Sequence, residues 1–393
     1  MGISFAIGDR IRNYTITSEL LSHGNFAMSY FAEDTAGIPL FFKEYIEPTS
    51  VRSWYRGFIR YQEKLHTILK KLPGQIVECG VEFFEEGNLY FQVFQRIIGT
   101  SLRKLMKTSV HNPDTFPDSL RWDSAKFFMY AISVLHTHHI VHCDLKPENA
   151  FMEDVPGLGI GKRIKIIDFD FSFIKGISPP WVPRDVEEGK PGYLGTPNYL
   201  SPEHLTGKEP STASDVFTCG IILYEILCGT YPLSGYKDFK DYLLKFAHKE
   251  FSPPHELNTD IKPALSNLIV RMLDIDQTKR PAAKDVHKEL LSPTKGGPEF
   301  IKFMIGSTGT YKPIEESVSL GQRDFRAFDN YRYIQSPQFK IIRERESGRW
   351  LIEGCTGVKN NTRLNGKVIT GKKEELHSGD IISVGPFQTE VKW

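Results

Sequence analysis

Up to about residue 95, apolar positions alternate with polar ones in short runs broken by turns: "YTITSELL", "MSYFAE", "PLFFKEYI", "QIVECGVEFFEEG" and "LYFQVFQ". A period of two bounded by turn residues predicts strands. "VRSWYRGFIRYQEKLHTILKKL" interrupts them with helical periodicity and helix-forming composition. From about 100 to 292 the longer period dominates, and "SLRKLM", "SLRWDSAKFFMYAISVLHTHH", "DVFTCGIILYEILCG", "KDYLLKFAHKE", "KPALSNLIVRML" and "AAKDVHKELL" predict helices. "LSPTKGGPEF", with its Pro, Gly, Ser and Thr, marks a linker. Beyond it, "EFIKFMI", "EESVSL", "YRYIQ", "FKIIRE", "RWLIEG", "TRLNGKVI", "DIISVG" and "TEVKW" predict short strands and hence a β-sandwich. The pattern therefore divides the chain near residue 295. A first domain, 1–295, has a strand-rich part (about 10–97) and a helical part (about 98–292), and an all-β domain follows over 296–393.

A length of 393 residues is enough for two or three such domains. Hydrophobic residues at 40% and charged residues at 25% fit an ordinary globular protein, and a formal net charge of +1 makes no case for a nucleic-acid partner. The five cysteines form no CxxC pair, which argues against a disulfide framework or a zinc ribbon and for reduced thiols. The N-terminus has no signal-peptide pattern, and Ala6 sits where a myristoylation signal needs Ser or Thr. "CGIILYEILCG" is too short to span a bilayer and contains Glu225. A cytoplasmic protein without membrane insertion is expected.

The stretch "HIVHCDLKPENAF" concentrates His, Cys, Asp, Lys, Glu and Asn. His136, His138, His139 and His142 are irregularly spaced, with no second ligand cluster to complete a metal site. Cys143 as a nucleophile needs a base held by a third group, which a sequence cannot display. Phosphoryl transfer accounts for more of the stretch. It needs a carboxylate to orient the attacking hydroxyl, a cation beside the phosphoryl group, and oxygen ligands for Mg²⁺.

At these residues the chain resembles the eukaryotic-type (Hanks-type) Ser/Thr protein kinases. "HCDLKPEN" is similar to their HRDLKxxN loop, which implies Asp144 as base, Lys146 as phosphate contact and Asn149 as a metal ligand. "IKIIDFD" offers Asp168 as the second metal ligand in the place of DFG. "GTPNYLSPE" supplies Thr196 and Glu203, "SDVFTCGIILYEILCGTYP" supplies Asp215 to brace the loop, and "DQTKRP" supplies Arg280 to pair with Glu203. "LFFKEY" places Lys43 at the α- and β-phosphates, and "LLSHGNFAMSYFAE" resembles the glycine-rich loop through Ser22, Gly24 and Ala27. Phe94 falls at the gatekeeper position, with Gln95 to Ile97 as the adenine-contacting hinge. Glu63, the only carboxylate of its helix, is the expected salt-bridge partner of Lys43. "GLGIGK" is expected to be a hairpin turn rather than a Walker loop.

The chain departs from the family pattern in several places. Two of the three loop glycines are Ser22 and Ala27. Cys143 replaces the Arg that pairs with an activation-segment phosphate, so Ser172 and Ser178, the obvious acceptors there, are expected to matter little. Asp170 replaces the DFG glycine and adds charge near the metal site, and its reversion to Gly is expected to keep or raise activity.

Residues 299–393 resemble a forkhead-associated (FHA) domain through "LHSGDIISVG", "GVKNNTRLNGKVI" and "IQSPQFKI". Gln335 and Gln338 stand where that family has its binding Ser and His, which leaves Arg323, Ser336 and Asn360 as phosphopeptide candidates. The fold class expected is α+β, a two-lobed protein kinase fold followed by an all-β forkhead-associated-like sandwich. The function expected is a serine/threonine protein kinase using ATP and Mg²⁺ or Mn²⁺ on protein hydroxyls. Its C-terminal module would recruit phosphothreonine proteins or a second kinase copy, the latter through Thr294, Thr308 or Thr310. The competing reading is a weakly active pseudokinase that serves as a signalling scaffold.

Overall fold

In "PLFFKEY" alternate residues take opposite faces, as a pleated strand requires. Leu40 and Phe42 are buried in one core, while Phe41 and Lys43 line the cleft on the other face. A computed structural model of the chain describes residues 5–23, 27–45, 55–72, 76–78, 80–87, 89–155, 162–177, 195–291, 301–305, 310–314, 317–344 and 349–392. The described residues form two compact units, the first ending at Leu291.

The first unit opens with an antiparallel sheet in the order Arg10–Ile11, Tyr14–Ile16, Ala27–Glu33, Pro39–Tyr45, Leu89–Gln95, Gly80–Glu86, with Ser22–His23 beside Ala27–Glu33. Ile16, Tyr30, Phe42, Phe91 and Val93 fill its core, each such burial worth roughly 1.5–3 kcal/mol. Helix Tyr55–Leu69 turns Phe58, Ile59, Tyr61, Gln62, Leu65, His66 and Leu69 inward and leaves Glu63, Lys64 and Thr67 exposed.

The helical part is organised on Thr212–Cys228, which is buried continuously from Ser214 to Leu227. A capping box between Ser211 and Ser214 starts this helix, and Gly229 ends it in the left-handed region at φ 74. Among the described residues, Leu102–Ser109, Asp118–Thr137, Phe239–Ala247, Pro263–Met272 and Ala283–Leu290 are its other helices of eight residues or more. Strands Ala150–Asp154 and Lys162–Ile166 pair antiparallel, while residues 157–161 of the "GLGIGK" turn lie outside the described residues. No helix among the described residues is long and apolar enough to cross a membrane.

The second unit is β-rich. A six-stranded antiparallel sheet runs Thr310–Ile314, Ile301–Ile305, Phe387–Lys392, Ile381–Val384, Thr362–Leu364, Lys367–Val368. A four-stranded sheet runs Val318–Leu320, Phe339–Arg343, Trp350–Gly354, Lys373–Glu375. Side chains from both share one core, including Phe303, Leu320, Phe339, Trp350, Ile352 and Val384. "YRYIQ", expected as a strand, is instead a 3₁₀ turn at Tyr331–Tyr333, entered by Asn330 at φ 60. A left-handed residue breaks strand geometry at that point.

Candidate active site

The loop that follows Ile140–Val141 is fixed from below by one carboxylate. Asp215, buried on the central helix, accepts the main-chain N–H groups of His142 (2.8 Å) and Cys143 (3.0 Å), and its Oδ2 lies 3.0 Å from His136 Nε2. Despite burial, His136 and these donors hold the Asp215 carboxyl below its usual range. Cys143 is thereby held at φ 66, a conformation that a non-glycine residue keeps only when its surroundings impose it. His142 binds the Ile167 carbonyl through Nε2 (3.0 Å), its other nitrogen accepts the Asp144 N–H (3.3 Å), and its ring packs on Phe169. His136 and His142 of the cluster are thus engaged in bracing, while His138 and His139 are exposed. Burial and the charge of Asp215 push the Cys143 thiol up, away from a thiolate.

Above this base Asp144, Lys146 and Thr196 close a triangle. Lys146 Nζ lies 3.0 Å from Asp144 Oδ2 and donates to Thr196 Oγ1 at 3.0 Å, and Thr196 donates to Asp144 Oδ1 at 2.8 Å. Burial pushes the Asp144 carboxyl above its usual range, against the pull of Lys146, which moves it in the direction of a proton acceptor. Gly195 has no room for a side chain, because a Cβ there would meet Leu200 at 2.7 Å and the Cys143 carbonyl at 3.3 Å. Asn149 donates to the Asp144 carbonyl at 3.0 Å. Glu203 and Arg280 form a buried bidentate pair (2.8 and 2.9 Å), with Ser214 donating to the same carboxylate.

A cavity of about 360 Å³ collects Ser22, Ala27, Lys43, Glu78, Asp144, Lys146, Asn149, Asp168, Asp170 and Thr196. An adjoining, more apolar cavity of about 260 Å³ is lined by Leu21, Phe31, Phe41, Phe94, Gln95, Ile97 and Phe151 among others. Gly24 lies outside the described residues, as do Ser178, Thr294 and Thr308.

Lys43 corrects one expectation. Glu63 is exposed on the outer face of its helix, and Lys43 Nζ pairs with Asp168 Oδ1 (3.0 Å) and Asp170 Oδ2 (2.6 Å). One residue of helical register decides this, because Gln62 takes the inward position and donates to the Asp170 carbonyl at 3.0 Å. Burial opposes both charged partners, yet the attraction raises the Lys43 ammonium well above its usual range and holds Asp168 below its own. For Asp170 burial outweighs Lys43 and pushes its carboxyl up. Ser172 needs a second correction. It is fully buried, with its hydroxyl on the His142 carbonyl at 3.1 Å, and is no open phosphate acceptor.

Sequence reasoning did not single out Gln62, Glu78, Phe31 or Phe41. Glu78 is buried and accepts the Asp168 N–H at 3.0 Å, and burial pushes its carboxyl up to about 8. The signal for Phe41 was present in the strand alternation, which puts it on the face of Lys43. Glu78 was marked only as a charge directly after the apolar pair Ile76 and Val77.

In the second unit, Ser336 accepts the Gln322 N–H at 2.9 Å and Asn360 donates to the Tyr333 carbonyl at 2.8 Å. Gln338 is buried and donates to the Asn360 carbonyl and to Thr362. Arg323 is exposed on the turn Gln322–Phe325.

Residues 61–291 match the family described as protein kinase domain, and the chain belongs to that family. It is 30% identical over 228 residues to 3-phosphoinositide-dependent protein kinase B of Dictyostelium discoideum, covering 58% of this chain and 23% of that protein. It is 27% identical over 234 residues to serine/threonine-protein kinase D3 of Mus musculus and of Homo sapiens, covering 59% of this chain and 23% of theirs. The chain thus spans less than a quarter of the length of these relatives.

Proposed function

We propose that this chain transfers the γ-phosphate of ATP to serine and threonine hydroxyls of proteins. The observation that carries the reading is the Asp144–Lys146–Thr196 triangle, which opens onto the same cavity as Lys43, Asn149 and Asp168. Asp144 accepts the proton of the substrate hydroxyl, Lys146 lies beside the transferring phosphoryl group, and Lys43 contacts the inner phosphates. The donor set fits a hard divalent cation. Asn149 spends its N–H on the Asp144 carbonyl and so keeps its oxygen free for the cavity, and Asp168 adds a carboxylate. Mg²⁺ or Mn²⁺ held there would neutralise phosphate charge. The adenine site is the apolar cavity, with the hinge at Gln95 to Ile97.

The chain of 393 residues with γ-labelled ATP, a divalent cation and a generic protein acceptor tests this. Asp144→Asn should lower transfer by roughly 10²–10⁴-fold. A variant as fast as the wild type would remove the assignment. One observation favours the competing scaffold reading. Phe31, Phe41 and Phe94 crowd an adenine cavity of about 260 Å³, below the usual range of roughly 300–1,000 Å³ for ligand pockets. Absence of saturable binding of a fluorescent ATP analogue would favour that reading.

We further propose that the second unit is a forkhead-associated-like module that binds phosphothreonine, with Arg323 supplying the charge that Gln335 and Gln338 lack. A second copy of the chain, modified on Thr310, would be one such partner. Calorimetry of the full chain should show preference for a phosphothreonine peptide over its unmodified twin. Arg323→Ala should weaken it about tenfold or more. Equal affinity for both peptides would end this assignment.

A further inference from the structure

The inward face of helix Tyr55–Leu69 carries Tyr61, Gln62, Leu65, His66 and Leu69 and no carboxylate. The charge that holds Lys43 must therefore come from elsewhere. Four carboxylates share its cavity: Glu78, Asp144, Asp168 and Asp170. Asp144 is engaged by Lys146 and Thr196. Glu78 is committed to the Asp168 main chain, and in the reading above Asp168 is needed for the cation. Asp170 makes the shortest contact with Lys43, 2.6 Å, and is itself fastened on two sides. Tyr45 donates to its Oδ1 at 3.1 Å while lying 2.9 Å from Gln92 Oε1, and Gln62 donates to its carbonyl at 3.0 Å. All four partners are at least nine-tenths buried. Asp170 also lies outside the positive-φ positions, so its side chain sits there without backbone strain.

We propose that Asp170 is the positioning carboxylate of Lys43, taking over from a helix position that holds the neutral Gln62. This rests on the kinase reading and reverses the expectation that Asp170 only adds charge near the metals. The anchor then lies two residues beyond Asp168, the cation ligand of that reading, and the helix reaches it only through the Gln62 hydrogen bond to its carbonyl. The phosphate-binding lysine and the cation ligand are then placed by one short segment.

The test uses the full chain as wild type, Asp170→Asn, Asp170→Gly, Gln62→Glu and Gln62→Glu/Asp170→Gly, with Asp144→Asn as the control for transfer itself. Two readouts are taken: kcat and KM for ATP, and the rate at which an amine-directed reagent acylates Lys43, followed by peptide mass spectrometry. Both single Asp170 variants should lose about tenfold or more in kcat/KM, with KM rising, and should speed Lys43 acylation several-fold. Gln62→Glu should restore most of both properties in the Asp170→Gly background. Unchanged acylation in Asp170→Asn, whose shape is conserved, overturns the proposal. So does an Asp170→Gly variant with wild-type kinetics, or one that melts like the wild type and is not rescued, since the carboxylate would then act on the cation. If the wild type transfers no more than Asp144→Asn, the kinase reading fails while the acylation series still decides the anchor.

Discussion

The catalytic loop and the Lys43 cluster face one cleft, yet different means hold them. Below, Asp215 grips two loop N–H groups and Glu203 pairs with Arg280, and these residues stand where the family pattern puts them. Above, Lys43 is held by Asp168 and Asp170, with Tyr45, Gln62 and Glu78 packed around them, and the expected helix carboxylate faces solvent. Groups proposed to contact the substrate, such as Asp144 and Lys43, are tied to one geometry. A group that only supplies potential is less constrained, since attraction depends on distance and burial rather than on the segment that delivers the charge. On the lower side Asp215 grips the loop by its main-chain N–H groups, which leaves little freedom of exchange. The upper side braces one buried ammonium, which any well-placed carboxylate can do.

That contrast predicts different costs on the two sides, and the largest lies below. Arg280→Ala leaves Glu203 buried and uncompensated, at a cost of roughly 3–5 kcal/mol. Scanning calorimetry should show the first unit melting about 10 °C lower. By contrast, Asp170→Asn should change kinetics far more than melting. A fall of only a degree or two in Arg280→Ala would show that the pair contributes no more than a surface contact, and the contrast would dissolve.

How much of this was legible follows the same line. "HCDLKPEN" carries Asp144, Lys146 and Asn149 within six residues, so chain connectivity alone brings them together. The strand alternation and helical periods likewise located the main elements of the first unit. The Lys43 partner was not legible, because Asp170 lies 127 residues away and the choice between positions 62 and 63 turns on about 100° of helix rotation. The short strands of the second unit announced a β fold, but strands Thr310–Ile314 and Lys373–Glu375 were missed. Both are polar enough to read as turns. The burial of Ser172 depends on packing beneath His142, which no local pattern records.

Two buried histidines extend the comparison to pH. His66, on the upper side, is lowered to about 3 by burial and by the neighbouring Lys43 and Lys70. His204, below, is lowered to about 4 by burial, partly opposed by Asp215 and Glu203. In both cases the unfolded chain binds a proton that the folded chain refuses. Their stability is therefore fully present above about 6.5 and is lost as pH falls through the folded value, by about 1.4 kcal/mol per pH unit for each group. Urea unfolding between pH 7 and 4.5 should show a shallower loss in His66→Phe, by about one group's slope. Parallel curves would mean that His66 is protonated as readily in the fold as outside it.

The smallest effect is expected where the two sides meet. Ser172 lies between them, its hydroxyl on the His142 carbonyl and its own carbonyl accepting from the Tyr61 hydroxyl of the helix at 3.1 Å. Ser172→Ala removes the first bond and keeps the second, which costs about 0.5–1.5 kcal/mol. Activity should stay within about twofold of the wild type, because neither Asp144 nor Lys43 is touched. Phosphate should not appear on Ser172 in the folded chain, since the hydroxyl is fully buried and a dianion there would be taken out of water. Mass spectrometry after incubation with ATP and Mg²⁺ checks this directly. Stoichiometric modification of Ser172 without loss of the folded state would mean that the joint between the two sides opens, and that their bracing is switched rather than fixed.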